Sequence, residues 1–397
     1  MILADLTHAH HPTSGGIRTY IRAKRDFLLD HTEHRHLLVA PGPEDARESG
    51  DRWETVRLKG LTIPGAAPYR FFPSARRPAD ALIDAGADAV ELGTYYMPTE
   101  HGAAFRAREA AHREGRALVV SAHIHTDFPR SYAEAYSAKV LGSTLGQRVG
   151  SLAERYARRV LNRCDFVIVL SAQFRDRMRE MGVEQVVMAS QGVDLDRFGP
   201  HRADPTLRDE FRVAPDGMFL LYSGRFDSEK HVDTLVAAFD RLPATPAPTL
   251  VMMGEGSKRP ELEAAAAQRP GLHVLPYQSD PARVAALYAT ADVYVTAGPH
   301  EVYAFSVVEA QASGTAVVGV RAGGLVSRVP DDLGYLVDVD DADAFAARIG
   351  DAFAAREAMG AAARAHAESH YSWAATFRPI LEATEAARSR QLAALGG

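Results

Sequence analysis

The sequence has little of several features that mark particular classes of protein. A single cysteine, Cys164, occurs in 397 residues, so one chain cannot form an internal disulfide, and this usage suits a reducing compartment. No apolar run reaches the ~18 residues that a membrane-spanning helix needs. The start, MILADLTHAHHP, lacks the basic segment and apolar stretch that are typical of a signal peptide. These absences predict a cytoplasmic location.

The chain also lacks a large excess of either charge. It has 45 Lys and Arg against 51 Asp and Glu, a net charge of −6, which argues against a broad basic surface for nucleic acid. We therefore expect no nucleic-acid partner. Hydrophobic residues make up 46 % and charged residues 24 % of the chain, an ordinary globular balance, and the length allows two or three domains.

Strand-like and helix-like segments alternate along the chain. MILADLTH predicts a strand, and IRTYIRAKRDFLLDH predicts a helix with an apolar stripe. The alternation pauses at the polar stretch 199–217, which contains three prolines, and resumes at MFLLYSG. This pattern predicts an α/β fold with parallel sheets in two similar domains, 1–192 and 193–374. A C-terminal helix of about 375–397 is expected to pack back on the first domain.

Ligands of open α/β sheets bind beyond the carboxyl ends of the strands, so the residues that follow strands are the candidates for a site. GRFDSEK follows MFLLYSG and contains Arg225 and Lys230. Arginine can bind two phosphate oxygens at once and lysine supplies a mobile charge, so the pair suits a diphosphate. An ordinary exposed loop is the alternative.

The segment PHEVYAFSVVEAQASGTAVVG carries two carboxylates, Glu301 and Glu309. A helix is expected to begin near Phe305 or Ser306, where its free amides would favour a phosphate. Glu301, in the preceding loop, would reach a polyhydroxyl group, and Glu309 would accept the vicinal hydroxyls of a ribose. The alternative for Glu309 is a local cap or ion pair.

Two segments of the N-terminal half are further candidates. In SGGIRTY, Gly15 and Gly16 would let the backbone approach an anion before a helix begins, although such a pair is common in turns. In SAHIHTDFP, alternating His123, His125 and Asp127 would share one side of an extended strand. They predict either a histidine that contacts substrate or a metal site of a hydrolase; a buried, satisfied histidine is the alternative.

Taken together, these segments resemble the GT-B glycosyltransferases of family 4, the large retaining group. The resemblance extends over nearly the whole chain in the right order. The matching segments are SGGIRTY, HTDFP, CDFVIVLSAQFRDRM, GVDLDRF, GRFDSEKHVDTL, GEGSKRPELE, LYATADVYVTAGPHE, EVYAFSVVEAQASGTAVVGVRAGG and YSWAATF.

The resemblance implies two Rossmann-like domains that face each other across a cleft, with the acceptor bound by the first domain and the nucleotide sugar by the second. It implies that Arg225 and Lys230 bind the donor diphosphate and stabilise it as it leaves. Other positions that match the family are Glu301 for the donor sugar with backbone amides around Ala304, Phe305 and Ser306, Glu309 for the ribose, Gly16 for close approach to the diphosphate, and His125 for the donor sugar.

The implied activity is a retaining transfer of a hexose, glucose or mannose, from UDP-glucose or GDP-mannose to a hydroxyl. In such a reaction the leaving phosphate helps to take the acceptor proton. No metal or other cofactor is expected, because Arg225, Lys230 and helix amides supply the positive field. The acceptor, a small molecule, a glycan or a lipid-linked molecule, is not determined. The basic segment RVGSLAERYARRVLNR could touch an anionic membrane, but a solvated helix face is favoured.

The sequence departs from the family pattern at three places. Tyr303 and Ala304 stand where Phe-Gly is usual, Ala316 replaces a proline, and Ser327 stands at an acidic position. Rival functions are a nucleotide-sugar epimerase on the same fold, the metal-dependent hydrolase at His123, a dinucleotide oxidoreductase using GEGSKR and a non-catalytic sugar-binding module. In GEGSKR, Arg259 occupies the last glycine position of the dinucleotide motif, which weakens that reading.

Overall fold

The computed structural model describes residues 1–10, 16–63, 69–124, 128–134, 137–138, 142–301 and 303–396. The chain divides into two compact units. Unit 1 comprises Met1–Gln191 and Trp373–Gly397, and unit 2 comprises Gly192–Ser372. Both units are built from strands and helices around a mainly parallel sheet, so the predicted α/β class is confirmed.

The described part of unit 1 contains an eight-stranded sheet of order β10-β9-β8-β7-β1-β2-β4-β3. All pairs are parallel except β3 with β4. The strands are β1 (Ile2–Leu6), β2 (Arg35–Gly42), β3 (Ala46–Gly50), β4 (Trp53–Lys59), β7 (Ala89–Leu92), β8 (Val119–His123), β9 (Phe166–Val169) and β10 (Val186–Met188). The short strands β5 (Leu61–Thr62) and β6 (Arg70–Phe71) form a separate pair.

Helices cover both faces of this sheet. They are α1 (Gly16–His31), α2 (Arg76–Asp84), α3 (Pro98–Arg113), α4 (Ser143–Leu161), α5 (Ala172–Glu180) and the C-terminal helix (Trp373–Leu395). A π-helical turn spans Pro129–Glu134. Helix α1 and the C-terminal helix form one apolar core, in which Phe27 packs on Phe377 at 5.4 Å between ring centroids. The return of the chain through Trp373 therefore completes one face of unit 1.

The stretch VEQVVMASQGVD contains a short strand, Val186–Met188, followed by a loop. Two other elements of unit 1 were not predicted from the sequence. The antiparallel edge strand Ala46–Gly50 was not predicted, because its five residues are all exposed and carry no apolar pattern. Helix Arg76–Asp84 was also missed. Strand β8 ends at His123, while His125 and Asp127 lie outside the described residues.

Unit 2 contains a parallel six-stranded sheet of order β13-β12-β11-β14-β15-β16 in its described residues. Its strands are β11 (Phe219–Ser223), β12 (Thr249–Met253), β13 (Leu272–Leu275), β14 (Val293–Thr296), β15 (Ala316–Val320) and β16 (Gly334–Val337). Its helices are α6 (Thr206–Glu210), α7 (Val232–Phe239), α8 (Arg259–Ala266), α9 (Pro281–Thr290), α10 (Phe305–Ala312), α11 (Leu325–Arg328), α12 (Ala342–Ala354) and α13 (Arg356–His370). Short turns of 3-10 helix lie at Pro200–Arg202 and Ser228–Lys230.

Each sheet has a point at which the strand order reverses. In unit 1 the reversal lies between the neighbouring strands β1 and β7, because the strands after β1 are added on one side and those after β7 on the other. In unit 2 the reversal lies between β11 and β14. In open α/β sheets this reversal opens a crevice at the carboxyl ends of the two strands, where ligands bind.

Among the described residues, no helix is both long and apolar enough to cross a bilayer. Helix α4, which contains most of the basic segment noted above, exposes Arg148, Arg155, Arg158 and Arg159.

Candidate active site

The candidate residues of unit 2 lie at the carboxyl ends of β11 and β14, the neighbouring strands between which the strand order reverses. The loop after β11 leads through Arg225 to Lys230, and the loop after β14 leads through Glu301 to helix α10. Two segments separated by about 70 residues therefore meet at one edge of the sheet. The predicted placement of these residues after strands is confirmed for unit 2.

Lys230 and Glu301 form the central contact between the two loops. The Lys230 Nζ lies 2.7 Å from Glu301 Oε1, and the side chains are 17 % and 21 % exposed. The pair is thus partly shielded from water but still open to a ligand. Because each partner has bonding capacity left over, the ammonium can meet an anion while the carboxylate accepts hydroxyl donors.

A glycine turn after β15 holds the backbone of Glu301. Gly324 N–H donates to the Glu301 carbonyl oxygen at 2.6 Å. Gly323 has φ of 54°, and a Cβ atom there would lie 2.6 Å from the same carbonyl oxygen. Only glycine combines this left-handed conformation with such a close approach. The AGG segment of the sequence thereby positions Glu301.

Arg225 is more exposed than the lysine, with 64 % of its side chain accessible. Its guanidinium pairs with Asp227 at 2.7 Å and with Glu229. The Tyr222 hydroxyl donates to the Arg225 carbonyl oxygen at 2.8 Å. The backbone of this residue is therefore fixed at the strand end, while its side chain rests on acidic neighbours at the surface.

The glycines of GEGSKR support the same loop. A Cβ atom on Gly254 would lie 1.8 Å from the Gly224 carbonyl oxygen, and one on Gly256 would lie 2.4 Å from the Phe226 carbonyl oxygen. Phe226 is fully buried, and its N–H donates to the Glu255 carbonyl oxygen at 2.8 Å. These glycines allow two loops to pack against each other, which gives the motif a structural reason other than dinucleotide binding.

Helix α10 begins at Phe305, which confirms the predicted start. Ala304 precedes it in the left-handed conformation, with φ 59° and ψ 57°. The Ala304 carbonyl oxygen accepts from the amides of Val307 and Val308. Within the described structure no hydrogen bond is found for the amides of Phe305 or Ser306, so this helix start can receive an anionic oxygen.

Glu309 lies one turn inside α10 among the buried residues Val307, Val308, Ala310 and Ala312. The side chain has limited access to water, and this desolvation raises the pKa of Glu309 to about 7, against smaller opposing effects of Tyr288 and Arg197. A carboxylate in such surroundings gains most from a ligand that donates hydrogen bonds to it.

The remaining predicted residues belong to unit 1. Gly16 is the first residue of α1, whereas Gly15, His125 and Asp127 lie outside the described residues. His123 is buried, and its Nδ1 lies 3.2 Å from Glu91 Oε1. The described residues contain no group of three His, Cys, Asp or Glu side chains placed to hold a metal ion.

A buried network of charged and polar side chains surrounds His123 and was missed by sequence reasoning. Lys24 Nζ lies 2.6 Å from Asp5 and 2.7 Å from Glu91, and His36 Nε2 lies 2.8 Å from the other Asp5 oxygen. Burial would raise the pKa of Glu91, but Lys24 and His123 hold it well below its usual value. The signal in the sequence was Lys24 itself, which stands on the apolar stripe of α1.

Comparisons with known proteins agree with this architecture. The sequence model of the family described as glycosyl transferases group 1 matches residues 204–366, and that of glycosyltransferase family 4 matches residues 14–197. A GDP-mannose-dependent alpha-mannosyltransferase of Mycobacterium tuberculosis is 30% identical over 382 residues, which cover 92% of this chain and 92% of the relative.

Two further proteins extend the comparison. A GDP-mannose-dependent alpha-(1-6)-phosphatidylinositol dimannoside mannosyltransferase of the same species is 28% identical over 343 residues, 85% of this chain and 84% of the relative. The crystal structure of Anabaena Alr3699/HepE in complex with UDP-glucose has a TM-score of 0.68 and 17% identity, covering 97% of this chain and 100% of that one. Such a structural likeness shows the fold, which is GT-B. The chain therefore belongs to family 4 of the glycosyltransferases, the group 1 enzymes of GT-B fold.

Proposed function

We propose that this glycosyltransferase moves a hexose from a nucleoside diphosphate to an acceptor hydroxyl with retention at the anomeric carbon. The observation that carries the proposal is the Lys230–Glu301 pair, whose Nζ and Oε1 atoms are 2.7 Å apart. Glu301 lies four residues before helix α10, at whose start the amides of Phe305 and Ser306 have no hydrogen bond in the described structure. A cation, a carboxylate and free amides at one strand-end crevice suit a ligand that is anionic at one end and rich in hydroxyls at the other.

In the proposed reaction, the bond between the anomeric carbon and the diphosphate oxygen breaks as the acceptor oxygen attacks. Lys230, Arg225 and the amides of Phe305 and Ser306 stabilise the charge that grows on the leaving diphosphate. The leaving phosphate takes the acceptor proton on the same face of the sugar. Glu301 holds hydroxyls of the transferred sugar, and Glu309 holds those of the ribose.

GDP-mannose is the first candidate for the donor, and UDP-glucose is the second. The relatives compared above are GDP-mannose-dependent mannosyltransferases, which supports mannose, whereas the UDP-glucose complex supports only the general type of ligand. The acceptor is proposed to be a hydroxyl of a glycan or a lipid-linked molecule, as the name of one relative, a phosphatidylinositol dimannoside mannosyltransferase, suggests. No metal or other cofactor is part of the proposal.

Donor binding and slow donor hydrolysis test the proposal. The purified chain would be titrated with GDP-mannose, UDP-glucose, ADP-glucose and dTDP-glucose in the presence of a chelator. We expect GDP-mannose to bind and to be hydrolysed slowly to GDP and mannose without added metal. Failure to bind any of the four donors would contradict the proposal, and activity that needs an added metal would contradict its metal-free form.

Substitution of the cations tests their assigned role. Lys230→Ala and Arg225→Ala should each lower turnover by about 10²–10³, the usual cost of losing one preorganised contact to a developing charge. Matched controls are Lys258→Ala and Arg241→Ala, which remove the same charges from the loop before α8 and from the end of α7. Near-normal turnover in both site variants, with all four proteins folded, would rule out the assignment.

A further inference from the structure

A second group of polar and aromatic side chains lies at the crevice of unit 1, apart from the residues assigned above. His8 follows β1, and Thr94 and Tyr96 follow β7. These two strands are neighbours and flank the reversal of strand order in unit 1. The position is the one at which open α/β sheets bind ligands.

His8 is held firmly on one side of its ring. Its Nδ1 lies 3.0 Å from Glu100 Oε1 and 3.0 Å from Thr94 Oγ1, and its backbone N–H donates to Glu100 Oε1 at 2.8 Å. The Thr94 hydroxyl donates to the other oxygen of Glu100. The Nδ1 side of the ring is therefore bound within the protein, and Nε2 is the ring nitrogen that is left for a ligand.

The second ring nitrogen, Nε2, forms no hydrogen bond with any residue in the described structure. The His8 side chain is 9 % exposed. The Glu100 side chain is only 1 % exposed. The hydrogen-bonding capacity of His8 Nδ1 is therefore used within the protein, while Nε2 can still form one hydrogen bond with a ligand hydroxyl.

A pair of aromatic side chains, Tyr96 and Phe128, lies next to the His8 ring. The Tyr96 ring meets the His8 ring edge-on at 6.1 Å and stacks on Phe128 at 4.4 Å with 8° between the planes. Both residues are partly exposed. The Tyr156 hydroxyl donates to the Tyr96 carbonyl oxygen at 3.1 Å, which ties the loop to α4. Aromatic surface next to a ring nitrogen that can form one hydrogen bond suits a ligand ring with both C–H faces and hydroxyl groups.

We propose that His8, Tyr96 and Phe128, here called the His8 subsite, bind the ring of a polyhydroxylated acceptor, a hexose or a cyclitol. A ring hydroxyl forms a hydrogen bond with His8 Nε2, and the C–H face of the ring packs against the aromatic pair. Glu100 and Thr94 are positioning residues, because they hold the imidazole through Nδ1 without touching the acceptor. This assignment rests on the proposed function, for which it supplies the acceptor class.

Two substitutions of His8 distinguish the role of Nδ1 from that of Nε2. His8→Asn keeps an amide near the position of Nδ1, where it can reach Glu100, but removes the atom at Nε2. His8→Gln places an amide group near Nε2 instead. Tyr96→Leu removes the aromatic ring next to His8. The matched control is His34→Asn, at the amino end of the same sheet, where His34 contacts Met1.

Binding is measured on the full chain by saturation-transfer NMR with methyl α-D-mannopyranoside and with glycerol as an acyclic polyol. We expect His8→Asn to weaken binding of the mannoside about tenfold, the value of one hydrogen bond, and His8→Gln to retain most of it. Tyr96→Leu should abolish the preference for the ring over glycerol. Affinity for GDP-mannose, measured by calorimetric titration without acceptor, should stay within about twofold of the wild type in all variants.

Unchanged mannoside binding in His8→Asn would overturn the His8 subsite, as would a wild type that binds the ring no better than glycerol. An equal loss of affinity for GDP-mannose and for the mannoside would also overturn it, because the residue would then serve the donor or the fold. Failure of the wild type to bind any nucleotide sugar is a different result, which would contradict the proposed function itself.

Discussion

At the scale of single residues, two carboxylates of one segment experience different surroundings. Glu301 is paired with Lys230 at 2.7 Å, whereas Glu309 has apolar neighbours and a pKa raised to about 7 by desolvation. The first carboxylate is already stabilised by a cation. The second is held in an unfavourable setting, which a ligand that donates hydrogen bonds would relieve.

Glu309→Gln should separate stability from donor binding. A raised folded-state pKa means that the folded chain holds a proton which the unfolded chain has lost, so the stabilising contribution is present below pH ~4.5 and disappears as the pH rises through ~7. The variant should therefore gain thermal stability relative to the wild type at pH 8.5 more than at pH 5. Donor affinity at pH 8.5 should fall about 10- to 100-fold, because a charged acceptor is lost.

Thermal melts at the two pH values and calorimetric titration with GDP-mannose measure these effects. Glu357→Gln, on the exposed first turn of α13, is the control and should leave both quantities unchanged. Equal stability differences at pH 5 and pH 8.5 would show that Glu309 titrates normally.

Ala304 shows how a departure from the family pattern becomes a physical feature. The family usually has glycine here, and the structure places the alanine in the left-handed region with φ 59°. A non-glycine residue in this conformation costs roughly 1–2 kcal/mol. The conformation is retained because the Ala304 carbonyl oxygen accepts the first hydrogen bonds of α10. Strain of this kind often accompanies ligand sites.

At the scale of secondary-structure elements, helix α1 joins its sheet through charge as well as apolar packing. Lys24 stands among the buried residues Tyr20, Ile21, Phe27 and Leu28. Burial would lower the pKa of Lys24, but Asp5 and Glu91 raise it above its ordinary value. The ammonium thus remains charged between two strands of the sheet, and its removal would leave two buried carboxylates without a cation.

Lys24→Met should lower the free energy of unfolding of unit 1 by about 3–5 kcal/mol, the usual cost of breaking a buried ion pair. The chain has two tryptophans, Trp53 and Trp373, and both belong to unit 1. Tryptophan fluorescence during urea denaturation therefore reports on this unit. Lys59→Met, on the exposed end of β4, should have little effect. An unchanged midpoint for Lys24→Met would show that the network does not stabilise the unit.

Helix and strand placement followed well from the sequence where the apolar pattern was local. Helix α1 and the start of α10 fell where the periodicity put them. The edge strand Ala46–Gly50 was missed, since its position depends on pairing with β4 and not on buried side chains. A hydrophobic pattern indicates a helix or strand because one face of the element is buried. An element without a buried face has no such pattern and cannot be predicted in this way.

At the scale of the whole molecule, contacts between distant segments limited what the sequence could predict. The strand-end rule placed Arg225, Lys230 and Glu301 in one region, because that rule concerns topology. It could not pair His8 with Glu100, which lie 92 residues apart, nor Lys24 with Glu91. The roles of Arg225, Lys230, Glu301 and Glu309 in the reaction remain predictions.

Unit 2 is continuous in sequence, and unit 1 is not. A fragment of residues 192–372 should therefore fold cooperatively, because its core residues all lie within it. A fragment of residues 1–191 should not, since Phe377, Ile380 and Ala387 of the C-terminal helix belong to its core. Circular dichroism melts of the two fragments test this, and a peptide of residues 373–396 should restore a cooperative transition to the first. A cooperative melt of residues 1–191 alone would contradict the prediction.

The return of the chain to unit 1 also bears on synthesis at the ribosome. Domains usually fold in the order in which they emerge, at roughly 5–20 residues per second. Here the apolar face beneath Trp373–Leu395 stays uncovered while all of unit 2 is made, roughly 10–40 s at that rate. The part of the protein that is translated first is thus the part that matures last, and during this interval its uncovered apolar face is prone to aggregation.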